Sequence, residues 1–61
     1  MSNAIYGKME DGTRVVTEVF SLSEFINATP DAYIIVETTD ENQSILNVQK
    51  SDVEWLSVGE A

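Results

Sequence analysis

Apolar and polar residues alternate along several short stretches of the chain, and in one stretch the spacing becomes helical. Arg14 to Phe20 reads RVVTEVF. Its β-branched alternation places Val15, Thr17 and Val19 on one face, with Arg14, Val16, Glu18 and Phe20 on the other, as in a half-buried strand. Ala4 to Met9 reads as a short first strand. Glu10-Asp11-Gly12 lies between the two, and Asp-Gly between apolar-rich runs predicts a tight hairpin, because both residues tolerate positive φ. Ala32 to Thr38 (AYIIVET) is the most apolar run and predicts a central strand. After the polar turn Thr39-Asp40-Glu41-Asn42-Gln43, Ser44 to Gln49 (SILNVQ) returns with Leu46 and Val48 inward. Ser51-Asp52 breaks that strand, and Val53 to Val58 forms either a last strand or a short helical turn. Residues 1–3 and 59–61 are expected to fray.

The helical signal begins at Ser21-Leu22-Ser23-Glu24. This spacing fits a capping box, in which the Ser21 hydroxyl accepts from the Glu24 amide and the Glu24 carboxylate reaches back. Phe20 and Phe25 occupy the two positions of a hydrophobic staple. Leu22, Phe25 and Ile26 share a helical face. Asn27-Ala28-Thr29-Pro30 ends the helix, since proline disfavours helix at the residue before it. The predicted helix has about one and a half to two turns, too short to stand alone, so it must pack on the sheet. The expected fold is a single α+β domain over residues 1–61. It is an antiparallel sheet of four strands, or of five if Val53 to Val58 is a strand, with one short helix, in the order β-β-α-β-β. Length scaling gives a radius of gyration of about 10–11 Å.

Composition changes the picture chiefly by exclusion. The chain has 61 residues, with 11 acids, three bases, no histidine and no cysteine, and a formal charge of −8. Disorder needs low hydrophobicity as well as charge, and 43% of these residues are hydrophobic. Absent cysteine and histidine remove disulfides, thiolate metal sites, the usual general base and the ordinary pH switch. No cofactor and no metal are expected. The charge repels phosphate, which argues against direct nucleic-acid binding. No run approaches the roughly 20 apolar residues of a membrane span, and no signal peptide is evident, so a cytoplasmic protein is expected. Ser2-Asn3-Ala4 resembles a cloning remnant, but Met1 before it fits a native start equally well, so these residues carry no weight in the fold expected from sequence.

Candidate chemistry is correspondingly narrow. Paired carboxylates catalyse only in an apolar cleft that separates their pKa values, and a body this small has little room for one, so no catalytic residues are expected. Neither Asp40-Glu41-Asn42 nor Glu10-Asp11-Gly12 matches the spaced oxygen ligands of an EF-hand loop. Asn27-Ala28-Thr29 spells a glycosylation sequon, read here as chance. Trp55, Tyr6 and Tyr33 are candidate interface anchors, since aromatics are enriched at binding hot spots; the alternative is that they complete a thin core, which is the expectation for Trp55. Tyr33 and Ile35 point opposite to Ile34 and, if the helix leaves that face open, form an apolar strip suited to a homodimer interface.

The acids themselves are the remaining candidates. Alternate residues on a strand face lie about 6.6 Å apart, close to twice the roughly 3.4 Å axial rise per phosphate on a DNA strand. Carboxylates on strands and turns can therefore imitate phosphate spacing. Glu10, Asp11, Glu18, Glu37, Asp40, Glu41, Asp52 and Glu54 are the candidate partner-binding residues, with Asp52 and Glu54 as a possible i, i+2 pair. Glu24 is reserved for the helix cap. The plain alternative is a solvated acidic surface that confers only solubility.

Two resemblances bear on this. Asp11-Gly12, the strand after it and Ser21-Leu22-Ser23-Glu24-Phe25 resemble the Asp-Gly, strand, Ser-Leu-Ser-Asp-Phe segment of the small acidic uracil-DNA glycosylase inhibitors of Bacillus podoviruses. That resemblance implies a dimeric, β-rich DNA mimic occupying an enzyme's DNA-binding surface. Phage proteins that block the nucleoid protein HU are functionally similar acidic mimics. Separately, Gly12, Leu22, Phe25-Ile26, Thr29-Pro30-Asp31 and Gln49-Lys50-Ser51 follow an order similar to that of the FlbD/SwrD family of small flagellar accessory proteins. That family's Asn-Gly hairpin is replaced here by Thr39 to Gln43. The leading expectation is a phage-type inhibitor of a host DNA-binding protein with a basic groove. The alternative is a structural or adaptor protein of a phage or bacterial assembly.

Overall fold

The computed structural model describes residues 2–60. Five strands run in chain order, β1 (Asn3–Met9), β2 (Arg14–Val19), β3 (Tyr33–Thr38), β4 (Ile45–Gln49) and β5 (Val53–Glu60), with helix α1 (Leu22–Asn27) between β2 and β3. They form one antiparallel sheet in the order β4-β3-β2-β1-β5. A single 3-10 turn, Lys50–Asp52, links β4 to β5, which lie at opposite margins of the sheet. Five flat strands would hold their margins about 19 Å apart, whereas the chain from Gln49 to Val53 reaches about 13–14 Å. The sheet must therefore roll. Val48 from β4 and Val53 from β5 accordingly meet Val15 and Val36 in one buried cluster, against which Met9, Ile34, Leu46 and Trp55 pack. The radius of gyration is 10.7 Å, as length scaling predicts.

The strand assignments follow from alternation, and so do their faces. Val15, Thr17, Val36, Thr38 and Val48 point inward and are buried, while Glu18, Tyr33, Ile35, Glu37 and Ile45 point outward. β5 settles the open choice for residues 53–58 as a strand. It also continues through Gly59 and Glu60, which pair with Ala4 and Asn3, so residues expected at frayed ends are in register; Met1 and Ala61 lie outside the described residues. Ala4, where the expected first strand begins, is buried in β1 between Glu18 and Gly59, and Asn3 before it, within the residues expected to fray, is already paired. A bulge between Tyr6 and Gly7 lets Trp55 stay on the core side. At that point Gly7 is required by close approach: a Cβ there would meet Val53 Cγ1, with the Glu54 carbonyl oxygen and Trp55 Cε3 each at 3.0 Å.

Local turn chemistry differs in detail from expectation. The first hairpin is not a two-residue turn: the Gly12 amide donates to the Met9 carbonyl (2.9 Å) and the Met9 amide to the Thr13 carbonyl (2.8 Å). Only Gly12, at φ +94°, takes positive φ there. This is the three-residue loop whose last position requires glycine. Helix α1 spans six residues, and its start is capped by the Ser21 hydroxyl, which accepts from the Glu24 amide at 3.2 Å; the return bond expected from the Glu24 carboxylate to the Ser21 amide does not form, so only half of the capping box is present. The staple does not form. Phe20 is 89% exposed, and Phe25 turns to Trp55 in an edge-to-face contact, ring centroids 5.0 Å apart. Lys50 closes the other end of the helix. Its Nζ donates to the carbonyls of Ile26 and Ala28, both at 2.9 Å, and lies 5.3 Å from the Phe25 ring centre. A cation on terminal helix carbonyls satisfies groups that have no partner within the helix.

Candidate protein-docking face

Sequence reasoning treated the acids as one set, but their hydrogen bonds divide them. Asp40 Oδ1 accepts from the Thr38 hydroxyl (3.2 Å) and from the amides of Asn42 (3.0 Å) and Gln43 (3.3 Å). It builds the β3–β4 turn, in which Gln43 takes φ 41°. Asp11 Oδ1 accepts from the Thr13 amide at 2.9 Å, and that bond holds its carboxyl below the ordinary value of 3.8. Asp52 Oδ2 accepts from the Gln49 amide at 3.2 Å, closing a capping box on the 3-10 turn. Asp52 therefore lies in a turn and does not form a strand i, i+2 pair with Glu54. The aspartates do what short carboxylates do at turns.

The glutamates are arranged differently. Glu10 lies in the first turn and Glu41 in the second, while Glu54 sits across from Lys8 on the outer side of the β1–β5 pair. Glu10, Asp52 and Glu54 line one shallow depression together with Lys8. Glu18 and Glu37 occupy a different place, the outward face of β2 and β3. Glu37 pairs across from Val16 on one side and Ile45 on the other, and Glu18 pairs with Ala4. Glu18 and Glu37 thus lie diagonally across the β2–β3 pair on the same face. The eight candidates therefore fall into a turn group, a group around Lys8, and an outer-face pair.

The outer-face pair is the one surrounded by apolar surface. A row of side chains crosses the sheet from Ile45 through Glu37 and Val16 to Tyr6. Ile45 is 69% exposed, Tyr6 44%, and the predicted strip residues Tyr33 and Ile35 are 70% and 66% exposed. One depression on this face is lined by Tyr6, Val16, Glu18, Ile35, Glu37, Ile45 and Glu60. A second, lined by Phe20, Glu24, Phe25 and Tyr33, shares Thr17, Glu18 and Ile35 with the first. The ladder between β2 and β3 holds only Val15–Thr38 and Val16–Glu37, after which the Thr17 hydroxyl bridges to the Ile35 carbonyl at 2.8 Å. The strands splay beyond that bond, which opens the second depression. Neither depression is lined by a cation. Lys8 and Arg14 pair across from each other at the turn end of the face, and Lys50 is engaged with helix carbonyls.

Sequence reading found Tyr33, Ile35, Glu18 and Glu37 and offered Tyr6 as an interface anchor, but it did not place Val16, Ile45, Phe20 and Glu60 on the same surface. Strict alternation already placed Val16 outward, and Ile45 opposite Leu46. Glu60 required the full length of β5. Among the described residues, no group of three or more acids is placed to hold a metal ion, and no helix is long and apolar enough to cross a membrane. Comparison with protein-family models, curated proteins and solved structures gives no match.

Proposed function

We propose that this protein is a non-catalytic binding protein whose outer sheet face docks on a basic partner. The partner class is a DNA-binding protein, in which Glu18 and Glu37 take places otherwise filled by phosphates. One observation carries the reading: exposed Tyr6, Tyr33, Ile35 and Ile45 are interleaved with Glu18, Glu37 and Glu60 on one face, with no cation lining its depressions. Contiguous exposed apolar surface marks interaction sites, and aromatic anchors with a charged surround are the anatomy of protein interfaces. Carboxylates speed encounter with a basic groove, and the apolar residues slow dissociation. The acidic balance of the chain as a whole supports the same direction of steering. The resemblance of the Asp11 to Phe25 segment to phage-encoded DNA-mimic inhibitors supports a stoichiometric inhibitor of a host protein such as an HU-like nucleoid protein or uracil-DNA glycosylase.

Charge also weighs on the homodimer expected for Tyr33 and Ile35. A second copy docked on this face would bring Glu18 and Glu37 toward their equivalents, and like charges across an interface oppose association. The reading is tested by affinity capture from bacterial lysate with salt-gradient elution and duplex DNA as competitor. The expected result is a basic DNA-binding protein released by modest salt and by DNA. Capture of an assembly component, insensitive to salt and DNA, would instead favour a structural adaptor.

A further inference from the structure

β4 is a margin of the sheet, and its backbone has a definite orientation. The Thr38 amide donates to the Ser44 carbonyl and the Lys50 amide to the Ala32 carbonyl, at 2.9 and 2.8 Å. In an antiparallel ladder the bonded pairs alternate. With the register Val36↔Leu46 and Ile34↔Val48, these two bonds place the Leu46 and Val48 backbone groups toward β3. The N–H and C=O of Ile45 and Asn47 therefore point away from the sheet. Gln49 would be next in that series, but its amide already donates to Asp52. The open edge is thus bounded by the Asp40 turn at one end and the Asp52 cap at the other.

The two margins of the sheet are protected unequally. β5 carries Glu54 and Glu60 and is bent by the bulge, devices that discourage strand addition. β4 (ILNVQ) has no charge, no proline and no bulge. We infer that the free edge of β4 takes an extended cationic segment of the partner as an added strand, paired to the backbone of Ile45 and Asn47. Such addition draws affinity from main-chain bonds and specificity from alternate side chains. Side chains of the added strand would extend the outer face beside Ile45, across which long side chains reach toward Glu37, and near the turn carrying Asp40 and Glu41. Those three acids call for lysine or arginine on the incoming strand, and they oppose a second copy of this chain. The inference rests on the outer-face reading above and specifies how the partner is held.

The test uses a short peptide alternating valine with lysine, and the same peptide N-methylated at alternate residues. Binding is read by fluorescence, and amide hydrogen exchange is read by NMR on the isotope-labelled chain. The expected result is slowed exchange at Ile45 and Asn47 with the first peptide only, and binding weaker by about tenfold or more for the N-methylated one. Asn47→Pro, which removes an N–H the ladder does not use, should weaken the first peptide similarly while the thermal midpoint stays near wild type. Equal binding of both peptides, or unchanged exchange at Ile45 and Asn47, would overturn the edge assignment. If binding then still falls in Glu18→Gln/Glu37→Gln, the outer-face reading survives without it. Absence of any binding by the lysine peptide would overturn both. Self-association of the free chain that Asn47→Pro abolishes would identify a second copy as the occupant and overturn the cationic one.

Discussion

Asp40 and Glu41 are adjacent in sequence, both acidic and both exposed, yet they have different jobs. The Asp40 carboxylate holds three donors of its own turn, so Asp40→Ala should cost about 1–2 kcal/mol in urea unfolding. Asp40→Asn, which keeps an acceptor, should recover most of that, and Glu41→Ala should lie within about 0.5 kcal/mol of wild type. Asp11 adds a pH signature. Its folded pKa lies below the ordinary value of 3.8, so its contribution is complete above that value and is lost as pH falls through the folded value. Acid titration of stability should therefore show a smaller loss below pH 3.8 in Asp11→Asn than in wild type. Sequence reading pooled these aspartates with the glutamates because it counted charge, whereas one methylene fewer lets Asp reach its own turn amides. At Gly7 the constraint is steric: Gly7→Ala should lower stability by about 1–3 kcal/mol in denaturant unfolding, through the contact with Val53 and Trp55.

At the scale of elements, strands with unbroken alternation were legible, and so was the capped start of α1. The exceptions share a cause, which is a partner distant in sequence. Phe20 and Phe25 had staple spacing, but Trp55 from β5 engages Phe25, and Phe20 is left outside. β5 itself was ambiguous because its bulge breaks period two at Leu56, so Trp55 and Leu56 look like neither a strand face nor a helix face. The end of α1 depends on Lys50, 24 residues from Ile26, and no local pattern announces that bond. The Trp55 indole N–H donates to the Lys50 carbonyl at 3.0 Å, so one residue ties α1, the 3-10 turn and β5 together. Lys50→Met keeps the aliphatic stem and removes the charged donor. It should lower stability by about 1–2 kcal/mol, with hydrogen exchange in α1 accelerating more than in β1 and β2.

For the whole molecule, rolling the sheet decides which acids can act together. Carboxylates that looked continuous along the sequence end up in separate places, and of the eight candidate acids only Glu18 and Glu37 lie amid exposed apolar side chains, joined there by Glu60. The sequence showed that the surface was acidic and that Tyr33 and Ile35 faced away from the core. It did not show that Tyr6 and Ile45 join them, because that depends on the register of four strands. The central claim is that this face, more than the net charge, holds the partner. It is tested most directly by titrating the captured basic protein against three forms of the chain at low and physiological salt. These are wild type, Glu18→Gln/Glu37→Gln, and Glu10→Gln/Glu54→Gln, the last two losing the same charge. The outer-face pair should weaken binding by about tenfold or more at low salt, the pair beside Lys8 should change it by less than about threefold, and the gap should narrow as salt rises. Equal losses from the two double variants would contradict the central claim, and would mean that bulk charge alone recruits the partner.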